Sequence, residues 1–133
     1  MAGETSLATL LRSMSPQLNP GDYVFCTLAD GPVPAGLEVI GSFREQEGLT
    51  LILERNEAEQ AGFNFDYVAA WITLNVHSAL EAVGLTAAFA TALGKAGISC
   101  NVIAGYYHDH LFVGQADAER AMDVLRQLAA NAE

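Results

Sequence analysis

The residues Leu51 to Ala61, LILERNEAEQA, return sixty positions later as Leu111 to Ala121, LFVGQADAERA. Leu, Ala, Glu and Ala coincide at four places, and apolar or acidic character matches at several others. The order of expected elements around the two copies also repeats: helix, strand, strand, helix. A repeated supersecondary unit constrains a chain strongly, because each copy must bury a similar apolar face in a similar way. A chain built like this folds as two like halves, with the apolar stretch Val68 to Asn75 lying between the copies.

Reading in order supplies the elements. Thr5 or Ser6 can cap a short helix whose apolar face is Leu7, Leu10, Leu11 and Met14, and Ser15-Pro16 ends it. Asn19-Pro20-Gly21-Asp22 reads as a turn, followed by a strand from Tyr23 to Leu28. The glycines and prolines between Ala29 and Gly36 read as a loop. Alternation from Leu37 to Phe43, a polar turn at Glu45 to Gly48 and a return at Leu49 to Leu53 predict a hairpin. Asn56 can cap a helix that Gly62 stops. Val68 to Asn75 is apolar almost throughout, as a central strand buried on both faces would be. Ser78 and Glu81 fit a capping box. Gly84 either interrupts the helical stretch that they open or marks the start of the main helix, which runs to about Lys95 and ends at Gly97. Ser99 to Tyr106 and His110 to Val113 are expected strands. Ala118, Ala121, Met122, Leu125 and Leu128 line one face of a last helix. The halves divide as 1–67 and 68–133.

Composition removes several functions. The chain has 133 residues, 51% of them apolar and 17% charged, which suits one packed core or two small halves sharing one. With six basic residues and a net charge of -10, it is a poor match for nucleic acid or an anionic membrane. The low charge fraction suggests that a second copy covers some apolar surface, giving a homodimer. The N-terminus lacks a basic start followed by a long apolar run, and no stretch reaches the length of a membrane span. Cys26 and Cys100 both fall in apolar runs and read as buried free thiols of a cytoplasmic protein.

Three groups of residues invite chemistry. Asn75, His77 and Ser78, with Gly84, Leu85 and Thr86, lie where a strand gives way to a helix. Free N–H groups at a helix start attract carboxylates, and the alternative is ordinary capping by Ser78. In Tyr106-Tyr107-His108-Asp109-His110 a regular strand would put His108 and His110 on one side and Asp109 on the other. An H-x-H pair needs at least one more ligand to hold a metal. A polar hairpin turn, or a ligand or interface contact through Tyr107 and Asp109, asks for less. Nucleophilic catalysis would need a base and an orienting carboxylate beside Ser78 or Cys100. Nothing in the spacing supplies them, and there is no G-x-S-x-G, P-loop or C-x-x-C. No catalytic residue, metal site or cofactor is expected.

The stretch VGLTAAFATALGKAGISCNVIAGYYHDHLFV resembles the core of ACT domains. It has the glycine between first strand and first helix, a helix ending in x-L-x-x-A-G-I, and paired strands closing in Y-x-x-D-x-L-F-V. The chain as a whole, from about Leu7 to Leu128, is similar to small stand-alone proteins of two tandem ACT-like halves. The resemblance implies an α+β fold of ferredoxin-like halves, with antiparallel sheets and helices on one face. It further implies a non-catalytic regulatory protein that binds an amino acid or similar effector at a domain interface. Carried onto this chain, the site takes Asn75, His77, Gly84, Leu85 and Thr86, with Asn101 and Ile103 contributing from across the interface. No enzyme or DNA-binding domain accompanies these halves in the sequence, so regulation would act in trans on a partner protein. A protein-docking module without a ligand is the alternative, and a small metal-dependent enzyme using His108 and His110 a weaker one.

Overall fold

A computed structural model describes residues 6–76 and 84–132. The chain forms two compact units: a large one, Met1–Asn19 with Ala70–Glu133, and a small one, Pro20–Ala69. In order the elements are α1 (Leu7–Ser13), β1 (Pro16–Leu28), β2 (Gly41–Arg44), β3 (Leu49–Glu54), α2 (Arg55–Ala61), β4 (Val68–Leu74), α3 (Leu85–Lys95), β5 (Cys100–Ala104), β6 (Asp109–Gly114) and α4 (Ala118–Ala130). Strands β1 and β4 contribute residues to both units.

In the large unit the strands run in the order β1 start, β4, β6, β5. The chain passes through them as β4–α3–β5–β6–α4, and the fourth strand comes from Pro16 to Asn19. This is a ferredoxin-like unit whose last strand is supplied from the N-terminal side. Alternation along β4 and β6 sends Ala70, Ile72, Leu74, Leu111 and Val113 to one face. There they meet Leu10 of α1, Leu85, Phe89 and Leu93 of α3, and Ala121, Met122 and Leu125 of α4. All helices of this unit therefore share one side of its strands.

The small unit has the order β2, β3, β1, all antiparallel. Val24, Cys26, Leu51 and Leu53 pack on Ala58 of α2, again on one face. Residues 29–40, between β1 and β2, contain no helix. The fold is thus α+β, with helices on one face in each unit.

The sixty-residue repeat is exact in register. Gly41 pairs with Ile52 and Arg44 with Leu49, while Asn101 pairs with Phe112 and Ala104 with Asp109. The turns match too. Glu45 N–H donates to the Gly48 carbonyl at 2.9 Å, and Gly105 N–H donates to the His108 carbonyl at 2.9 Å. The helices after the two hairpins differ in length, for α2 has 7 residues and α4 has 13. The helix expected ahead of the first hairpin also departs from the repeat, because Leu10 of α1 packs into the large unit's core.

Local expectations are corrected at four places. Asn19-Pro20-Gly21-Asp22 is no chain reversal but lies inside β1, where Gly21 takes φ 107°. Pro20 and Gly21 mark the handover from large to small unit, and the strand continues through the positive φ that glycine takes cheaply. Asn56 is not a cap, since Glu54 holds the N-cap position and Asn56 lies within α2. Strand β2 starts only at Gly41, although Ile40 N–H still bonds the Ile52 carbonyl at 2.7 Å. The last hairpin closes earlier than expected, with Asp109 opening β6 and His108 in the turn. The Ser78–Glu81 capping box lies outside the described residues.

Candidate functional site

The strand-to-helix junction of the large unit is assembled from both ends. Asn75 follows β4 directly. Its backbone N–H donates to the Ser15 carbonyl at 2.9 Å, and its side-chain Nδ2 donates to Gln17 Oε1 at 3.0 Å. Gly84 is the N-cap of α3, with φ 99°. A side chain there would be strained and would also crowd Leu7, whose Cδ2 lies 3.2 Å from an ideal Cβ position. Leu85 is buried in the core, so only its backbone faces the junction, whereas Thr86 is exposed. The first turn of α3 carries no acidic side chain. Its positive end is therefore not compensated by its own sequence, an arrangement that favours a carboxylate from elsewhere. His77 and Ser78 lie outside the described residues.

The β5–β6 hairpin holds the other named residues. Asn101, Ile103 and Tyr107 are exposed, and Asp109 is half-buried. Ile103 pairs with His110 and Asn101 with Phe112, so these four side chains point away from the helices. Burial raises the Asp109 carboxyl above the usual aspartate range, partly offset by His110.

On that same face lies a polar chain that the sequence did not disclose. Asn19 Nδ2 donates to Thr73 Oγ1 at 3.0 Å and to the Trp71 carbonyl at 3.2 Å. Trp71 Nε1 donates to His110 Nδ1 at 3.1 Å, and Thr73 Oγ1 lies 3.3 Å from the same nitrogen. An indole N–H only donates, so Nδ1 must be the unprotonated acceptor and His110 the neutral Nε2–H tautomer. Burial and His108 both lower the His110 pKa, against a smaller opposing pull from Asp109. Trp71 also stacks on Phe112 at 6.3 Å between ring centroids. It is thus a polar anchor, half-buried on the face away from the helices and outside the core that packs on them.

The histidines do not form the H-x-H face that a regular strand would give. His108 is in the turn, and His110 Nδ1 is occupied by Trp71. Among the described residues, no three His, Cys, Asp or Glu side chains come together as metal ligands. Both thiols are raised in pKa by burial, which keeps Cys26 and Cys100 protonated at neutral pH. No helix among the described residues is long and apolar enough to cross a membrane.

Comparison with known proteins agrees with this architecture. Two family models, each described as an ACT domain, match residues 2–70 and 67–127. Among solved structures, a Vibrio cholerae protein of unknown function, described as a possible transport protein, is 56% identical. That match covers 92% of this chain and 95% of the other, with a TM-score of 0.84. A protein from Agrobacterium tumefaciens is 20% identical over 87% of this chain and 89% of its own, with a TM-score of 0.67. The regulatory subunit of aspartate kinase from Thermus flavus shares the fold at 11% identity, covering 87% and 96% of the two chains, with a TM-score of 0.61. No curated protein matches. The fold thus defines a tandem α+β protein of two ACT-type halves. In particular, the chain belongs to the ACT domain family.

Proposed function

We propose that this protein is a non-catalytic regulatory sensor that binds an amino acid or similar small effector and acts in trans on a partner protein. In this reading it works in the cytoplasm as a homodimer. The observation that carries it is the start of α3 in the large unit, a helix end without an acidic side chain in its first turn. Its N–H groups would hold an effector carboxylate, with Thr86 and Asn75 orienting the amine. His77, Ser78, Gly84 and the Leu85 backbone complete the proposed junction. Asn101, Ile103, Tyr107 and Asp109 would contribute from a second copy. Effector binding would favour one packing of the halves over another, which is all that a ligand can do to such an equilibrium.

The test is a thermal-shift screen of the purified chain against the amino acids. An effector bound only by the folded form adds about 2.7 kcal/mol of stability at a hundredfold excess over its dissociation constant. One selective amino acid, with the shift lost in Thr86→Ala, supports the reading. Flat curves throughout sink it. They would favour the docking-module alternative, for which Ile103, Tyr106 and Tyr107, 40%, 75% and 63% exposed, offer a surface.

A further inference from the structure

In the small unit β1 and β2 both pair antiparallel with β3, so they run parallel to each other. The chain must therefore cross the sheet between them, a step that usually takes a helix. For the matching step from β4 to β5 the large unit spends residues 75–99, and α3 lies among them. The small unit spends only residues 29–40, which contain no helix. This strap lays Leu37 and Val39 on the core of the small unit and leaves Glu38 between them exposed. The Glu38 N–H donates to Glu57 Oε1 at 2.9 Å, which ties the strap to α2. A strap of this kind covers a narrower strip than a helix about 10 Å across.

Helix α2 does not make up the difference. Its 7 residues rise about 10 Å, whereas the 6 residues of β3 span about 20 Å. It begins directly after β3 and packs back on the sheet through Ala58, so it stops well short of the Leu49 end. What remains there is an apolar shelf. Leu28 and Leu49 are paired across β1 and β3, and Phe63 follows the end of α2. These three are half-buried, as are Leu37 and Val39, while the deeper Val24, Cys26, Leu51 and Leu53 are buried.

The rim of the shelf is acidic. Asp30 comes just after Leu28, and Glu45 and Glu47 lie in the turn that leads into Leu49. All three are exposed, as is Glu38 on the strap. The Ala29 Cα lies 3.1 Å from an ideal Cβ position at Gly48, so the start of the strap runs against that turn. Arg44, paired with Leu49, brings one cation to the same end. Over residues 20–69, nine Asp and Glu stand against Arg44 and Arg55, a net -7 of the chain's -10.

We propose that this shelf docks a basic amphipathic helix of a partner protein. Such a helix, laid beside the strap, would complete the helix layer that the large unit supplies for itself. Its apolar face would cover Leu28, Leu49 and Phe63, and lysines or arginines on its flanks would meet Asp30, Glu38, Glu45 and Glu47. A second copy of this chain is a poorer occupant, because it brings the same excess of negative charge. Docking needs no effector and makes no use of the α3 start, so either reading can fail alone.

The experiment is methyl NMR of the full chain, titrated with a leucine–lysine peptide of about 14 residues whose leucines fall at helical spacing. Saturable shifts at Leu28, Leu37, Val39 and Leu49 are expected, and added salt should weaken them. Asp30→Asn combined with Glu47→Gln should weaken binding about fivefold or more, with unchanged melting. Glu119→Gln combined with Asp123→Asn, on α4 of the large unit, should leave binding intact. A peptide of the same composition with its leucines shuffled off one face should bind about tenfold more weakly. Equal binding of the two peptides overturns the proposal, because charge alone would then be acting. Shifts that map to α3 and α4 instead, or indifference to the Asp30 and Glu47 changes, overturn it as well. Shelf signals that move with protein concentration before peptide is added also overturn it, since a second copy would then cover the shelf. No saturable shift up to about 1 mM peptide does the same. A selective amino-acid response in the thermal screen would stand in every case.

Discussion

Acid should loosen the large unit through one histidine. His110 accepts the Trp71 indole N–H at 3.1 Å and lies 3.3 Å from the Thr73 hydroxyl, both at Nδ1. Protonating Nδ1 turns the acceptor into a donor that faces another donor. The folded-state pKa is accordingly lowered, by burial first and then by His108. Below the ordinary histidine value of about 6.5, the unfolded chain binds this proton more readily than the folded one. Stability therefore rises with pH across that window and falls on acidification. One neutral hydrogen bond contributes about 0.5–1.5 kcal/mol net. The Trp71 bond is the better formed of the two, and the Thr73 hydroxyl can rotate toward another acceptor. The expected loss between neutral pH and about pH 5 is thus about 0.5–1.5 kcal/mol, roughly a two- to twelvefold rise in the unfolded fraction. Asp109 acts oppositely and lower. Its raised pKa means that the folded chain takes up a proton before the unfolded one, so acidification through the carboxylate range recovers some stability. Urea unfolding followed by far-ultraviolet circular dichroism at neutral and mildly acidic pH measures the loss. Trp71→Phe should lower stability at neutral pH by about 1 kcal/mol and flatten the profile near pH 6. An NMR titration placing His110 at or above its ordinary pKa would refute the reasoning, as would a profile unchanged in Trp71→Phe.

Other substitutions test the packing directly. Phe89→Ala empties a fully buried position of α3 and should cost about 3–5 kcal/mol by urea unfolding. Gly105→Ala places a methyl group 2.7 Å from the His108 carbonyl and 3.1 Å from His110 Nε2, so it should lower the melting temperature and perturb the His110 titration. Gly94→Ala, inside α3 with no atom within 4 Å of the new carbon, should stabilise by about 0.5–1 kcal/mol. Cys100 should react slowly with a thiol-disulfide reagent at neutral pH and faster once urea exposes it, because burial raises its pKa.

The elements legible in sequence were those with a local cause. Gly62 and Gly97 end their helices through a positive φ that only a glycine takes cheaply, at 79° and 76°. The apolar run of β4 and the helical face of α4 follow from periodicity alone, and the hairpin repeat follows from residue matches sixty positions apart. Asn19 to Asp22 misled because turn-forming residue types also serve where a strand kinks and continues. The His110–Trp71–Thr73–Asn19 chain was hidden for another reason. Its members are spread over three strands, and no spacing within one segment reveals a hydrogen bond between strands. H-x-H at His108 and His110 suggested a shared face, yet the turn takes His108 out of the strand.

Exact repetition of the hairpin makes the differences between the halves informative. Position 50 and position 110 have the same register, but Thr50 donates within its own turn to Glu45, whereas His110 receives Trp71 from another strand. Gly105 stands where the first copy has Glu45, and a side chain there would collide with the His108 carbonyl and crowd His110. The histidine and the glycine thus depend on each other. Likewise the longer α4 supplies Met122 and Arg126 where α2 has stopped. These changes need no alteration of the shared register, so a duplicated frame can keep its folding instructions while one copy acquires polar groups. Of the two units, the large one has the titratable face and the unmatched helix start. The small unit retains the frame with a shorter helix and a plain loop. An effector response should therefore appear first in signals from α3, α4 and β6. Changes confined to β2 and β3 would contradict this division.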